Sequence, residues 1–376
     1  MKLIKIDTIH PKQYLQKILS TWQDEVGSLK YKEYHDRLIK LRVNNSDFYT
    51  HNLKELGWDA SEYFLNDEVY EQKVASELYG PLCSAFKLKN RLFNRSNQWR
   101  RSWKLQIYHD LIELEKPDVL FIREHSGLPS NFWRQFKNNC LLVSQISALM
   151  PRDWSPLDYD AIYTDIPTYR DFFQSNNIKV FTNLNGFDRR VLNEVSDEGK
   201  VCDISFVGGL KSRSFSKRLS LMKAVASDDS FSFRWWGYRD NDLEEPLLGK
   251  WGGIIGGLEM YQAYKNSKIV LNDYIDVAGG VGVNMRIFEA VGIGSFLLTR
   301  MADNLYDIFP KDVIATFVDE RDCIDKIKYY LGNEREREEM AKEAQRIVLE
   351  TRSYAKIMDK LSSELKSAHA RKFQNG

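Results

Sequence analysis

Residues 258–299 read LEMYQAYKNSKIVLNDYIDVAGGVGVNMRIFEAVGIGSFLLT, and this stretch decides the fold. Apolar residues at Leu258, Tyr261 and Ala263/Tyr264 have the spacing of a short amphipathic helix. KIVLN is a short, β-branched apolar run, the pattern of a strand buried on both faces. In the loop DYIDVAGGVGVN, Gly279, Gly280 and Gly282 permit tight turns and close approach of a ligand. MRIFEAVGIG predicts a second helix that stops at glycine, and SFLLT a second buried strand. In an open parallel sheet, a loop at the C-terminal end of a strand faces the ligand crevice. The N–H groups that open the following helix favour anions there. Glu289 lies near that helix start, on a face otherwise apolar.

Working outward, DISFVGG predicts a strand that ends in Gly208 and Gly209 and feeds the amphipathic SRSFSKRLSLMKAVA. A glycine turn entering a helix is a candidate phosphate cradle, with Arg213, and after it Lys211 or Arg218, as counter-charge. FSFRWWGYRD predicts a strand that ends at Gly237. Past SFLLT come a turn, the strand ATFVDE, two helices (323–331 and 334–350) and a last helix that opens near Ser353. Glu334/Glu338 and Arg335/Glu339, at i,i+4 spacing, mark a solvated face.

The order YxxSKIxLN, glycine loop, RxFEAxxxGxFLLT resembles the nucleotide-sugar half of the GT-B glycosyltransferases, most nearly the spore-maturation CgeB-like branch. The resemblance spans about residues 200–360 and continues through FVDE and IKYYLGNEREREEMAKEAQRIV. It implies an α/β fold of two Rossmann-like domains facing each other across a cleft, with the C-terminal helix crossing back to the N-terminal domain. It implies a nucleotide-sugar donor, UDP-sugar foremost, no other cofactor and no metal. It matches Glu289 to a ribose-binding glutamate. The glutamate that related retaining families carry eight positions earlier is replaced by Val281. Donor-binding candidates are Gly208, Gly209, Arg213, Trp236, Gly237, Tyr238, Asn272, Gly280, Val281, Gly282, Asn284, Arg286 and Glu289. Trp236 and Tyr238 are placed near the nucleobase, with core packing as the alternative for the neighbouring Trp235.

The chain has 376 residues, 43% of them hydrophobic, which suits two cores. A net charge of +1 argues against a nucleic-acid binder. Cys83, Cys140, Cys202 and Cys323 form no CxxC pair, which fits a reduced cytoplasmic setting better than a disulfide framework. The opening MKLIKIDTIH is too short and charged for a signal peptide, and no run approaches the ~20 apolar residues of a membrane span.

In the N-terminal half, LIKID, ELGWDASEYFLN, KPDVLFI, NCLLVSQIS, YDAIYTD and KVFTNLNGF carry strand patterns separated by helical ones. That alternation predicts a parallel sheet, and the missing GxGxxG argues against a dehydrogenase. Residues 1–188, with the returning helix 353–370, form the expected acceptor domain and 200–352 the donor domain. The polar stretch between them is read as a linker.

His10 follows the first strand, and Glu124 and His125 follow VLFI. These three are candidate general bases or acceptor contacts, with capping or ion pairing as the alternative. Residues 78–109 contain no acid. Basic Lys87, Lys89, Arg91, Arg95, Arg100, Arg101 and Lys104 are interleaved with aromatic Phe86, Phe93, Trp99 and Trp103. The stretch is either a surface for an anionic membrane or a solvated helix pair with its aromatics turned inward.

The expected activity is transfer of a sugar to a saccharide, lipid-linked or protein acceptor in cell-surface glycan synthesis. A retaining course is favoured over an inverting one on the resemblance alone. The rivals are a GT-B-fold sugar-nucleotide epimerase and a non-catalytic nucleotide or sugar binder, the latter kept open by Val281.

Overall fold

A computed structural model describes the chain except residues 86, 89–97, 124, 126, 148–149, 183, 211–215, 275–282 and 375–376 and the side chains of 98–101, 303 and 374. The chain divides into two compact units. The first comprises Met1–Thr164, Thr168–Asn183 and Met358–Gly376, and the second Asp165–Pro167 and Leu184–Ile357.

The first unit is built on β1 (Lys2–Asp7), β2 (Asp59–Phe64), β3 (Val119–Ile122), β4 (Leu141–Gln145), β5 (Ala161–Tyr163) and β6 (Lys179–Phe181). Their order is β2-β1-β3-β4-β5-β6, every pair parallel. Ile4, Ile6, Leu120, Ile122, Val143 and Ile162 are fully buried, as a sheet covered on both faces requires. The connecting helices are α1 (Lys12–Val26), α2 (Tyr31–Lys40), α3 (Phe48–Glu55), α4 (Glu68–Tyr79), α5 (Gln98–Glu115), α6 (Ser130–Arg134) and α7 (Pro167–Ser175). Helix α1 turns Tyr14, Leu15, Ile18, Trp22 and Val26 inward, a stripe at helical spacing. Helix α4 starts at Asp67, whose carboxylate accepts from the N–H groups of Val69 and Tyr70.

The second unit holds β7 (Cys202–Val207), α8 (Ser216–Ala226), β8 (Phe233–Trp236), α9 (Gly257–Lys265), β9 (Ser267–Asn272), α10 (Met285–Gly292), β10 (Leu297–Arg300), β11 (Ala315–Phe317), α11 (Glu320–Gly332) and α12 (Glu334–Thr351). Its sheet runs β11-β10-β9-β7-β8, again all parallel. One face carries a core of Ile204, Leu221, Trp235, Ile269, Leu298 and Phe317, among others. The final helix, α13 (Tyr354–Gln374), belongs to the first unit from Met358 onward. There Trp58 Nε1 donates to Ser362 Oγ at 2.8 Å, Tyr163 OH donates to Glu364 at 2.8 Å, and Lys372 Nζ meets Asp160 at 2.5 Å.

The polar stretch read as a linker is packed into the second unit. Phe187 is fully buried; its N–H donates to Arg352 O at 3.0 Å, and its carbonyl accepts from Tyr354 N at 3.0 Å. Asp188 accepts from Arg190 N at 3.0 Å, and Ser196 N donates to Gln262 at 3.0 Å. These partners lie 66 or more residues away, or in local caps that carry no hydrophobic period, so the pattern alone reads as unstructured.

Of the basic–aromatic stretch, Phe86, Lys89, Arg91, Phe93 and Arg95 and the side chains of Trp99, Arg100 and Arg101 lie outside the described residues. Trp103 is buried, and Lys104 Nζ lies 2.8 Å from Glu71, so these two members turn toward the core. Leu82 and Leu88 are exposed. Among the described residues no helix is long and apolar enough to cross a membrane.

Burial pushes the Glu71 carboxyl up to about 7, against the pull of the Lys104 ammonium. The folded protein therefore favours the protonated acid. The stability this group supplies is full below the carboxyl's ordinary value and is lost as pH rises through about 7. Urea unfolding is expected to show Glu71→Gln more stable than the parent at pH 8, by on the order of 1–3 kcal/mol. Near pH 4.5 the two should be nearly equal. A variant less stable than the parent at pH 8 would mean that the ion pair outweighs the burial.

Candidate functional site

Both sheets change direction once, and ligands in open α/β sheets bind beyond the carboxyl ends of the strands where that happens. In the first unit the chain runs from β1 out to β2 and returns to β3 on the other side of β1. In the second it runs from β7 out to β8 and returns to β9 on the other side of β7. The charged and glycine-rich loops lie at these two places.

In the second unit, the loops beyond β7 and β8 interlock. Gly208 N donates to Trp236 O, and Leu210 N to Tyr238 O, each at 2.9 Å. Gly237 has φ +146°, and a Cβ there would lie 2.1 Å from Gly208 O. A Cβ on Gly209 would lie 2.3 Å from the Tyr238 ring. Trp235 is fully buried and Trp236 partly so; Trp251 Nε1 donates to Gly237 O at 3.0 Å. Burial raises the Tyr238 phenol, and the nearby charges of Arg218 and Arg286 pull it back in part.

Across the switch point, Arg218 reaches both loops. Its Nη1 donates to Gly209 O at 3.3 Å and its Nη2 to Asp273 O at 2.8 Å. It is buried, with its guanidinium 5.7 Å from the Phe206 ring centre. Asp273, also buried, grips Arg300 with both oxygens, at 2.7 and 3.2 Å, and accepts from Tyr274 N at 2.8 Å. Burial opposes the charge on Arg300, but Asp273 outweighs it and the guanidinium pKa is raised. Arg300 lines a cavity of about 600 Å³ with Ser216, Lys217 and Ser220 at the start of α8 and Asp319 at the cap of α11.

Helix α10 is pinned at its start. Asn284 Nδ2 donates to Asn272 Oδ1 at 3.2 Å, and Asn272 Nδ2 donates to Thr299 Oγ1 at 2.9 Å. One turn on, Arg286 Nη1 donates to Glu289 Oε2 at 2.7 Å and also contacts Met260 Sδ. Glu289 is 2% exposed, whereas about a third of the Arg286 side chain is exposed. Burial works against the charge on Arg286, but Glu289 holds it on.

In the first unit, Asp7 and Gln145 end β1 and β4, and Arg123 follows β3 directly. Arg123 Nη1 meets Asp7 Oδ2 at 2.6 Å, and Lys5 Nζ lies 3.4 Å from the same oxygen. Burial would raise the Asp7 carboxyl, but the two cations win and hold it below its ordinary value. Arg123 Nε donates to Gln145 Oε1 at 2.9 Å, which Tyr49 OH also reaches at 3.1 Å. His125 Nε2 lies 2.7 Å from Gln145 O. That contact requires a proton on Nε2, which leaves Nδ1 as the basic nitrogen, and Nδ1 is buried. His10, beyond β1, is exposed.

The structure thus gathers Gly208, Gly209, Gly237 and Tyr238 at one set of loops, and Asn272, Asn284, Arg286 and Glu289 at the next. Glu124, Arg213, Gly280, Val281 and Gly282 lie outside the described residues. Arg218 is spent on backbone carbonyls. Sequence reasoning passed over Asp7, Lys217, Asp273 and Arg300. For Asp7, Asp273 and Arg300 a signal was present: each is a charge set at or just past the end of an apolar strand.

Residues 216–363 match a family model described as glycosyl transferase-like. No curated protein matches the chain in sequence. Anabaena HepE, solved in complex with UDP-glucose, superposes with a TM-score of 0.57 at 12% identity, over 98% of this chain and 100% of that one. Sucrose-phosphate synthase from Thermosynechococcus elongatus does so at 0.56 and 9%, over 98% and 100%. A glycosyltransferase from Rickettsia africae gives 0.56 and 10%, over 98% of each. At such identities the likeness is one of fold, and the fold is GT-B: two parallel-sheet α/β units, with a glycosyl transferase-like C-terminal part.

Gly237→Ala is expected to cost about 1–3 kcal/mol in urea unfolding, since it adds both backbone strain and a clash with Gly208 O. Gly253 also has positive φ (+92°), but no atom lies within 4 Å of its Cβ position, so Gly253→Ala should cost less. Equal costs would mean that the Gly208–Gly237 approach is not tight.

Proposed function

With a GT-B fold and a glycosyl transferase-like C-terminal part as premises, we propose that this chain transfers a sugar from a nucleotide-sugar, a UDP-sugar first, to a glycan or lipid-linked acceptor. The observation that carries the reading is the start of α10, where a buried carboxylate, Glu289, sits one turn into a helix that opens at a strand's carboxyl end. The second unit holds the donor. Glu289 accepts hydrogen bonds from the ribose hydroxyls while Arg286 holds its carboxylate in place. Gly208, Gly209 and the start of α8 with Lys217 face the diphosphate, where N–H dipoles and an ammonium stabilise the leaving charge. Tyr238 and Trp236 border the base.

The acceptor belongs to the first unit. Asp7 and Arg123 shape the floor at its switch point, and His10, His125 and Glu124 are the candidate bases. His125 serves as a base only if its ring turns to bring the buried Nδ1 to the acceptor. The resemblance further suggests the CgeB-like branch, a retaining course and no metal requirement. Product anomer by NMR, and transfer with EDTA present, check the last two. A sugar-nucleotide epimerase would instead convert donor with no acceptor present.

Glu289→Gln is expected to weaken UDP binding about tenfold or more, since a charged hydrogen bond is worth roughly 1.5–3 kcal/mol. It also leaves Arg286 without its counter-charge, so the melting temperature falls as well. Calorimetric titration of the folded variant separates the two effects, and a UDP dissociation constant equal to the parent's removes Glu289 from the site.

Peripheral contact with an anionic membrane is proposed for the 86–104 stretch, supported by its basic sequence, by exposed Leu88 within it and by exposed Leu82 just before it. With about 1 kcal/mol per basic residue near the surface, changing Lys87, Arg91, Arg95 and Arg101 to Ser should abolish co-sedimentation with phosphatidylserine vesicles. Binding that the change leaves intact contradicts it.

A further inference from the structure

We propose that Asp273 is a positioning residue for the phosphate side of the donor site, and this rests on the nucleotide-sugar reading above. Asp273 sits one residue past β9, on the far side of the switch point from Gly208 and Gly209. It acts through two different groups. Its carboxylate takes the Arg300 guanidinium in a forked pair at 2.7 and 3.2 Å, fixing that side chain in the wall of the cavity that Lys217 also lines. Its carbonyl takes Arg218 Nη2 at 2.8 Å, and the same guanidinium holds Gly209 O at 3.3 Å.

A single residue therefore sets the β9 loop against the β7 loop and orients one cationic side chain beside them. The third Arg300 nitrogen, Nη1, donates to Val318 O at 3.1 Å, so Arg300 is tied to the residue after β11 as well. Nothing in this arrangement is spent on the nucleoside. Asp273 contacts neither Glu289 nor Arg286 in any described hydrogen bond, and the Asn284–Asn272–Thr299 chain pins α10 without it.

That separation makes the proposal selective. A fork of two charged hydrogen bonds fixes a guanidinium in both distance and plane, and an amide in place of the carboxylate supplies only one acceptor. Asp273→Asn should loosen Arg300 while leaving the main-chain link to Arg218 and the ribose contact in place. A general loss of packing would weaken phosphate and nucleoside alike.

The test is calorimetric titration of UDP and of uridine into parent and Asp273→Asn. The expected result is a UDP dissociation constant raised about tenfold with that of uridine unchanged within about twofold. Arg300→Lys keeps the charge and loses the fork, so it should give the same selective loss; it also serves if Asp273→Asn does not fold. If UDP binding is unchanged in both variants, or if UDP and uridine weaken together, the positioning role is overturned and the proposed function stands. If the parent binds neither UDP nor uridine, both fall.

Discussion

Arg218, buried in the second unit, holds two backbone carbonyls that belong to different strands. Gly209 follows β7 and Asp273 follows β9, and the chain changes direction between those strands. A parallel sheet leaves a gap at such a point because the crossovers on either side diverge. Without a link, the two loops would be free to drift apart. The guanidinium closes the gap with hydrogen bonds inside a poorly solvated space, where they are stronger than in water. Asp273 then passes the constraint on to Arg300 at the end of β10. The glycines fit the same demand from the other side: Gly208 and Gly237 approach so closely that neither loop has room to shift.

The first unit uses the same device at its own switch point. Asp7, at the end of β1, pairs with Arg123, just past β3, and Arg123 in turn holds the Gln145 amide at the end of β4. Lys5 adds a second cation to Asp7. Three neighbouring strands are thus linked at their carboxyl ends by charged and polar side chains, in addition to the apolar packing of the sheet. Breaking such a pair by removing one partner strands a buried charge, which is far costlier than losing a surface ion pair. The strand ends at both switch points are therefore held firmly in place, a condition for holding a ligand in one geometry.

The local patterns carried much of this. IVL, VLFI and LLV are unbroken apolar runs, and each lies in a strand buried on both faces. Arg286 and Glu289 are three apart, so their pairing on α10 follows from helical spacing. What lay hidden is long-range. Asp7 and Arg123 are 116 residues apart, and Arg218 and Asp273 are 55 apart, so no window of sequence contains either contact. Charge runs mislead for the same reason. Lys104 reads as part of a basic surface, yet its partner Glu71 lies on a separate helix. The stretch after Gly186 reads as a linker because its buried apolar members, Phe187, Val191 and Val195, are scattered among charges with no helical or strand period, and the strand-like partner of Phe187 is the distant Ser353.

Hydrogen–deuterium exchange with and without UDP tests most directly whether the second unit's switch point holds a nucleotide. UDP should slow exchange at the amides of 208–210, at the start of α8, at 272–274 and at the start of α10, and leave the first unit's strands unchanged. Protection confined to the first unit, or none at saturating UDP, would contradict a donor site built on Glu289 and the Gly208–Gly237 loops.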